Sequence, residues 1–194
     1  MLASTVFWSE AVDATKGGNR VMYPTIELQQ PHPNDIVGSR VLIAGLATAF
    51  EATVRARVRD DSGRQLVSTH FMSGGGTGEI GQFQAEMNLE ERPDTPGGFV
   101  EVFEDNPGYP NEGPYGGLVA ELHKVIVPVV FGSHLLDNYV GFTFHVVVKG
   151  DSLSAIAANE YGDATKWPVL YEANRDQIGN PDLIFTGQRL RIPH

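Results

Sequence analysis

The sequence predicts two domains, an all-β sandwich followed by a small α+β module with the order strand, helix, helix, strand (βααβ). At 194 residues the chain is long enough for two small cores. Short runs that alternate apolar and polar residues, with turn signals about every ten residues, fill the first two thirds. Helical spacing of apolar residues appears only after residue 150. We therefore predict an N-terminal extension (1–25), a sandwich (26–132), a linker (133–143) and a C-terminal module (144–194).

Composition excludes several classes of partner and chemistry. A formal net charge of −10 argues against nucleic acid, which is bound mainly by clustered Lys and Arg. The absence of cysteine excludes disulfides, thiolate catalysis and Cys-ligated zinc. No stretch approaches the roughly 18 consecutive apolar residues of a membrane span. We expect no cofactor.

The N-terminal stretch "MLASTVFWSEAVDATKGGNR" lacks the features of a secretory signal peptide. We expect a location in the cell envelope or outside the cell if a leader has been removed. Otherwise, we expect the cytoplasm or an assembled particle.

In the first domain, "VLIAGLA" is predicted to be a strand buried on both faces. In "ATVRARVRDDSGRQLVSTHFM", valine and alanine alternate with Arg55, Arg57 and Arg59, which predicts a hairpin with a solvated arginine face that also blocks edge pairing. Further strands are predicted at "FQAEMNLE", "FVEVFED" and "LVAELHKVIVPVVFG", so the domain is an antiparallel sandwich. The roles of residues 1–25 and of the loop 106–117 stay open.

The second domain begins with a predicted strand, "TFHVVVKG", and ends with another, "RLRIP". Between them, two helices are predicted from apolar residues at helical spacing. A module of this size needs its large apolar side chains inside. The expected core residues are Leu153, Ile156, Trp167, Leu170 and Tyr171.

The letters "GDSL" at residues 150–153 are also the signature of a family of serine esterases, in which Ser152 would be the nucleophile. Such an enzyme needs a later Asp-x-x-His pair, but the last histidine is His194 and Arg191 stands three residues before it. His145 precedes the serine and cannot complete the motif. The alternative is structural: Gly150 permits a sharp exit from the strand, and Asp151 or Ser152 caps the helix. We therefore predict no catalytic residue.

No metal site is predicted either. The six histidines show no i, i+3 or i, i+4 pair. The stretch "SGGGTG" lacks the Gly-Lys-Ser/Thr ending of a phosphate-binding loop.

The phrases "VLIAGLATAFEATVRARVRDDSGRQLV", "SGGGTGEIGQFQAEM", "GGFVEVFED" and "LHKVIVPVVFG" resemble the immunoglobulin-like domain of bacterial spore-germination proteins (Gmad2-like). The resemblance implies a β-sandwich with an adhesive or structural role, open to a protein partner or self-association.

From about residue 144, the phrases "VVVKGDSLSAIA", "YGD", "WPVLYEAN" and "NPDLIFTGQRLRIP" resemble the LysM domain. The resemblance implies a βααβ fold that binds glycans containing N-acetylglucosamine, such as peptidoglycan. It also implies a groove between two loops. The matching positions are Gly150, Asp151, Ser152 and Leu153 in the first loop and Asn180, Pro181, Asp182, Leu183 and Ile184 in the second.

For Asp151 we favour a role as helix cap over a contact with the ligand. For Ile184 a place in the core and a place in the groove are equally expected. The predicted function is non-catalytic tethering to a cell-wall glycan, with the sandwich as a display or docking module. The alternative is a structural protein whose LysM domain contacts other proteins, as in a phage-tail-like or envelope assembly. Because the module occurs once, we expect weak binding unless several chains act together.

Overall fold

The computed structural model describes residues 26–48, 53–75, 79–105 and 121–194, and the predicted N-terminal extension and 106–117 loop lie outside this part of the chain. In these described ranges, eight strands belong to the first domain. They are β1 (Ile26–Gln30), β2 (Asp35–Val37), β3 (Arg40–Ala47), β4 (Thr53–Asp60), β5 (Gln65–Met72), β6 (Gly81–Asn88), β7 (Gly97–Asp105) and β8 (Glu121–Phe131).

These strands form a three-stranded sheet, β1-β3-β6, and a five-stranded sheet, β2-β8-β7-β4-β5. The inner faces of the two sheets enclose one core of branched and aromatic side chains, including Val41, Ile43, Val58, Val100 and Phe131. The predicted sandwich is therefore confirmed. One pair departs from the antiparallel prediction, because the short β2 runs parallel to β8.

Two details of the first domain were predicted wrongly. Strand β3 is buried on one face only, since Leu42 is 44% exposed on the outer face of its sheet. The arginines of β4 do not guard an edge, because β4 lies between β5 and β7. Arg57 is only 13% exposed, forms an ion pair with Glu101 and covers the ring of Phe103. Its alkyl stem and charge are thus part of a packed outer face.

The second domain has the predicted order of elements. Strand β9 (Phe142–Val146) pairs antiparallel with β10 (Arg189–Pro193). Between them lie α2 (Leu153–Tyr161), a 3₁₀ turn (Ala164–Lys166) and α3 (Trp167–Ala173), and a short helix α1 (Gly132–Leu135) precedes β9. A separate core holds Val147, Leu153, Ile156, Ala157, Leu170, Ile178, Leu190 and Ile192. This core joins the helices to one face of the β9–β10 sheet.

The buried Asn174 closes this module at the end of α3. Its Nδ2 donates to the carbonyls of Leu170 at 2.7 Å and Arg191 at 2.8 Å. Its Oδ1 accepts from the backbone N–H of Arg191 at 2.8 Å. One side chain therefore pairs both backbone polar groups of Arg191 in β10, and so it ties the second helix to the sheet.

A third apolar cluster lies at the junction of the two domains. Ile36 of β2 and Val130 of β8 pack with Ala173 of α3, and Leu135 and Tyr139 cover them. The contact is supported by a hydrogen bond from Arg191 Nη1 to the carbonyl of Asn34 at 2.7 Å. The sandwich and the C-terminal module thus share a packed junction.

Candidate functional site

A groove of about 210 Å³ lies on the C-terminal domain between the β9–α2 loop and the segment that precedes β10. Its residues come from three separate segments of this domain, which the fold brings together. The groove is lined by Asp151, Ser152, Leu153, Ser154, Trp167, Pro181, Asp182 and Ile184.

Of the nine predicted site residues, six line this groove: Asp151, Ser152, Leu153, Pro181, Asp182 and Ile184. The other three lie beside them in the same loops. Gly150 has a φ of +99°, which glycine adopts without strain, and it turns the chain from β9 toward α2. Asn180 Oδ1 accepts from the N–H of Asp182 at 3.0 Å and shapes the second loop. Leu183 is 53% exposed.

Ser152 is the N-cap of α2. Its Oγ accepts from the backbone N–H of Ala155 at 3.2 Å and lies 3.1 Å from the Oγ of Ser154. Its backbone is extended, as an N-cap residue requires. Among the described residues, those that line the groove include no histidine. The geometry of this hydroxyl is therefore that of a helix cap.

Asp151 has a different role from the one predicted. It does not cap the helix; its Oδ2 accepts from the backbone N–H of Val148 at 2.9 Å and lies 2.8 Å from Nε2 of His145. The N–H of Asp151 in turn donates to the carbonyl of Val148 at 3.1 Å. The carboxylate thus closes the β9–α2 loop on itself and fastens it to β9. Sequence reasoning missed His145 because only the turn brings it to Asp151, six residues later.

The hydrogen bond from His145, followed by that from the Val148 N–H, holds the pKa of Asp151 below its ordinary value. A carboxyl whose pKa is lower in the folded state stabilises the fold above its unfolded pKa of about 3.9 and loses this contribution as pH falls through the folded value. We therefore expect the free energy of unfolding to fall between about pH 5 and pH 3 more steeply in the wild type than in Asp151→Asn.

Chemical denaturation of both proteins across this pH range measures the difference. Asparagine keeps an acceptor for the Val148 N–H but carries no charge, so it removes the titration of this side chain and the negative charge in its contact with His145. Hydrogen bonds from Thr165 also lower the pKa of Asp163. Because Asp163 is present in both proteins, its contribution to the pH dependence cancels in the comparison. Identical pH dependence in the two proteins would show that the Asp151 carboxylate does not fasten the loop.

Ile184 belongs both to the core and to the groove, the two places that the sequence left open for it. It is partly buried, packs against the core of the module and also lines the groove. Trp167, predicted to be core, is instead 36% exposed and lines the groove from the first turn of α3. The core excludes it because Leu170 and the partly buried Tyr171 fill the inner side of this short helix.

Within the described ranges, no group of three or more His, Cys, Asp or Glu is close enough to hold a metal ion. None of the helices described has the length and apolar character that crossing a membrane requires.

Comparisons with known families agree with both domains. Residues 25–108 match the model of the immunoglobulin-like domain of bacterial spore germination (Gmad2). Residues 145–193 match the model of the LysM domain. The second match includes both loops of the groove.

Similar curated proteins share only a segment of about 50 residues with this chain. This chain is 46% identical over 50 residues to a potassium binding protein, Kbp, of Escherichia coli, and these residues are 26% of this chain and 34% of that protein. An uncharacterized protein of Deinococcus radiodurans is 47% identical over 57 residues, which are 29% of this chain and 22% of that protein. An esterase of Mycobacterium tuberculosis is 47% identical over 51 residues, which are 26% of this chain and 11% of the esterase.

The matched segment thus spans about a third or less of these relatives. The match therefore does not assign the activity of any of these whole proteins to this chain. The two family models, by contrast, match the two folded units just described, in the same order along the chain. This chain carries a Gmad2 immunoglobulin-like domain followed by a LysM domain, the class of module that binds peptidoglycan and related glycans.

Proposed function

We propose that this chain is a non-catalytic binding protein that attaches to an N-acetylglucosamine-containing glycan, such as peptidoglycan, through the groove of its LysM domain. The sandwich serves as a display or docking module. The observation that carries the proposal is the convergence of Asp151–Leu153 on one groove with Pro181, Asp182 and Ile184. The cell envelope is the proposed place of action.

The chemistry of the groove suits such a ligand. An N-acetyl group offers one hydrogen-bond donor, one acceptor and one methyl group. The hydroxyls of Ser152 and Ser154 and the exposed carboxylate of Asp182 supply polar partners, while the partly buried Ile184 supplies an apolar surface for the methyl. The N-acetylglucosamine unit itself is neutral, so the acidic chain does not repel this sugar.

Retention on purified, insoluble peptidoglycan tests this function. We expect the wild-type chain to sediment with the polymer at moderate salt, and Asp182→Lys to be retained about tenfold less, because a long charged side chain would fill the groove. Glu160→Lys is the matched control, since it makes the same charge change at an exposed position of α2 outside the groove. It is expected to be retained like the wild type.

Two results would contradict the proposal. Equal retention of the wild type and Asp182→Lys would place the binding surface elsewhere. No retention of correctly folded wild-type protein would favour the alternative, a structural role in which the LysM domain contacts other proteins. Because the Escherichia coli relative is called a potassium binding protein, sedimentation is compared in sodium and potassium buffers, and equal retention is expected.

A further inference from the structure

Trp167 is the one lining residue of the groove that belongs to α3, outside both predicted loops. Other large apolar side chains of the module are also exposed, among them Phe144 at 49% and Phe185 at 61%, but Trp167 is the aromatic side chain that lines the groove. Its indole is 36% exposed, so part of an apolar ring faces water beside the polar groove.

The backbone of Trp167 is held in place from several directions. It follows a 3₁₀ turn that Asp163 caps by accepting from the N–H and the hydroxyl of Thr165, at 2.9 and 2.6 Å. Pro168 comes directly after it and fixes the backbone angle in the first turn of α3. The ring centroids of Trp167 and Tyr171 lie 6.4 Å apart, with an angle of 56° between the ring planes. The indole is therefore supported on the side of Tyr171 and open toward the groove.

We propose that Trp167 is a platform on which one pyranose ring of the bound glycan stacks, so that it determines affinity and sugar preference; this inference rests on the function proposed above. A sugar ring whose substituents are all equatorial, as in N-acetylglucosamine, presents only C–H groups on its faces. The indole covers such a face and removes apolar surface from water, while the hydroxyls and carboxylate of the groove meet the polar edge of the sugar.

The stacking is specific in a way that the loops alone are not. Hydrogen bonds to the N-acetyl group distinguish sugars by that one substituent. Stacking on an aromatic ring instead distinguishes sugars by whether the face of the pyranose ring is flat. A sugar with an axial hydroxyl on the stacked face would separate the two surfaces. The groove and Trp167 together therefore favour a polymer of equatorially substituted, N-acetylated sugars.

Fluorescence of the indole tests the contact directly. The chain contains two tryptophans, Trp8 and Trp167, so Trp8→Phe leaves Trp167 as the only tryptophan reporter. Titration of this variant with N-acetylglucosamine pentamer is expected to shift its emission to shorter wavelength, with saturation at the same concentration as binding measured by calorimetry. Saturable binding without a change in emission would overturn the inference.

Affinity provides the second test. We expect Trp167→Ala to bind the pentamer about tenfold more weakly than the wild type, and Trp167→Phe to lie between them, because phenylalanine keeps a smaller aromatic face. Equal dissociation constants for all three proteins would overturn the role of Trp167 and leave the two-loop site intact. Absence of binding by the wild type would overturn this inference together with the proposed function. The fluorescence titration leaves residue 167 unchanged, so its result does not depend on the folding of these variants.

Discussion

Replacing Asn174 with leucine is expected to unfold the LysM domain and leave the sandwich folded. The leucine removes the partners of the Leu170 carbonyl and of both the N–H and the carbonyl of Arg191. The bond to the Leu170 carbonyl is buried and the two bonds to Arg191 are part-buried. Because a buried backbone group left unpaired costs about 1–3 kcal/mol and a part-buried one less, we expect a total loss of about 3–5 kcal/mol. A core of this size rarely supplies more than about 3–5 kcal/mol of net stability.

A ¹H–¹⁵N correlation spectrum distinguishes the two domains. In Asn174→Leu, amide signals of the LysM domain are expected to collapse to the narrow range of an unfolded chain, while those of the sandwich stay dispersed. Gln177→Ala is the control, because Gln177 is exposed and its Nε2 donates to Asn174 Oδ1 and to the carbonyl of Arg189, both at 3.0 Å, from the solvent side. It is expected to cost less than about 1 kcal/mol. A native spectrum for Asn174→Leu would refute the assigned role of this side chain.

The second large effect is expected in the sandwich, from Gly98→Ala. Gly98 lies in β7 between Asp60 of β4 and Val129 of β8. An added Cβ would lie 2.2 Å from the carbonyl oxygen of Arg59 and 2.5 Å from the ring of Phe131. Because the strands or the buried ring must move to relieve this overlap, we expect a loss of about 2–3 kcal/mol.

Thermal or denaturant unfolding of the sandwich measures this loss. Gly38→Ala is the matched control in the same domain, since the nearest heavy atoms would lie 4.0 Å from its Cβ. We expect the control to unfold within about 0.5 kcal/mol of the wild type. If the two variants unfold alike, Gly98 is not required by close packing at this position.

The order and type of the elements were predictable because they depend on local signals. Alternation of apolar residues marked the hairpin of β4 and β5, and the 3.6-residue spacing after Gly150 marked α2. The parallel pairing of β2 with β8 was not predictable in this way. The three residues of β2 are too few to show an alternating pattern, and the residues of β8 with which they pair lie more than ninety positions later in the sequence.

The groove was predicted in part for the same reason. The two loops carry recognisable phrases, and the structure brings six of the nine predicted residues together. The roles of Asp151 and His145 depend on the path of a turn, which composition does not encode. Trp167 was assigned to the core because a small module usually needs each large apolar residue inside, and only the packing of Leu170 and Tyr171 shows that no room is left.

The central claim is that the two loops of the LysM domain form one glycan-binding surface. The most direct measurement is a titration of the ¹⁵N-labelled chain with N-acetylglucosamine pentamer, followed by amide chemical shifts. We predict that amide signals of residues 151–154 and 182–184 move together, with one dissociation constant, while those of the sandwich do not move. Unchanged signals at millimolar sugar, or changes confined to residues outside the groove, would contradict the claim.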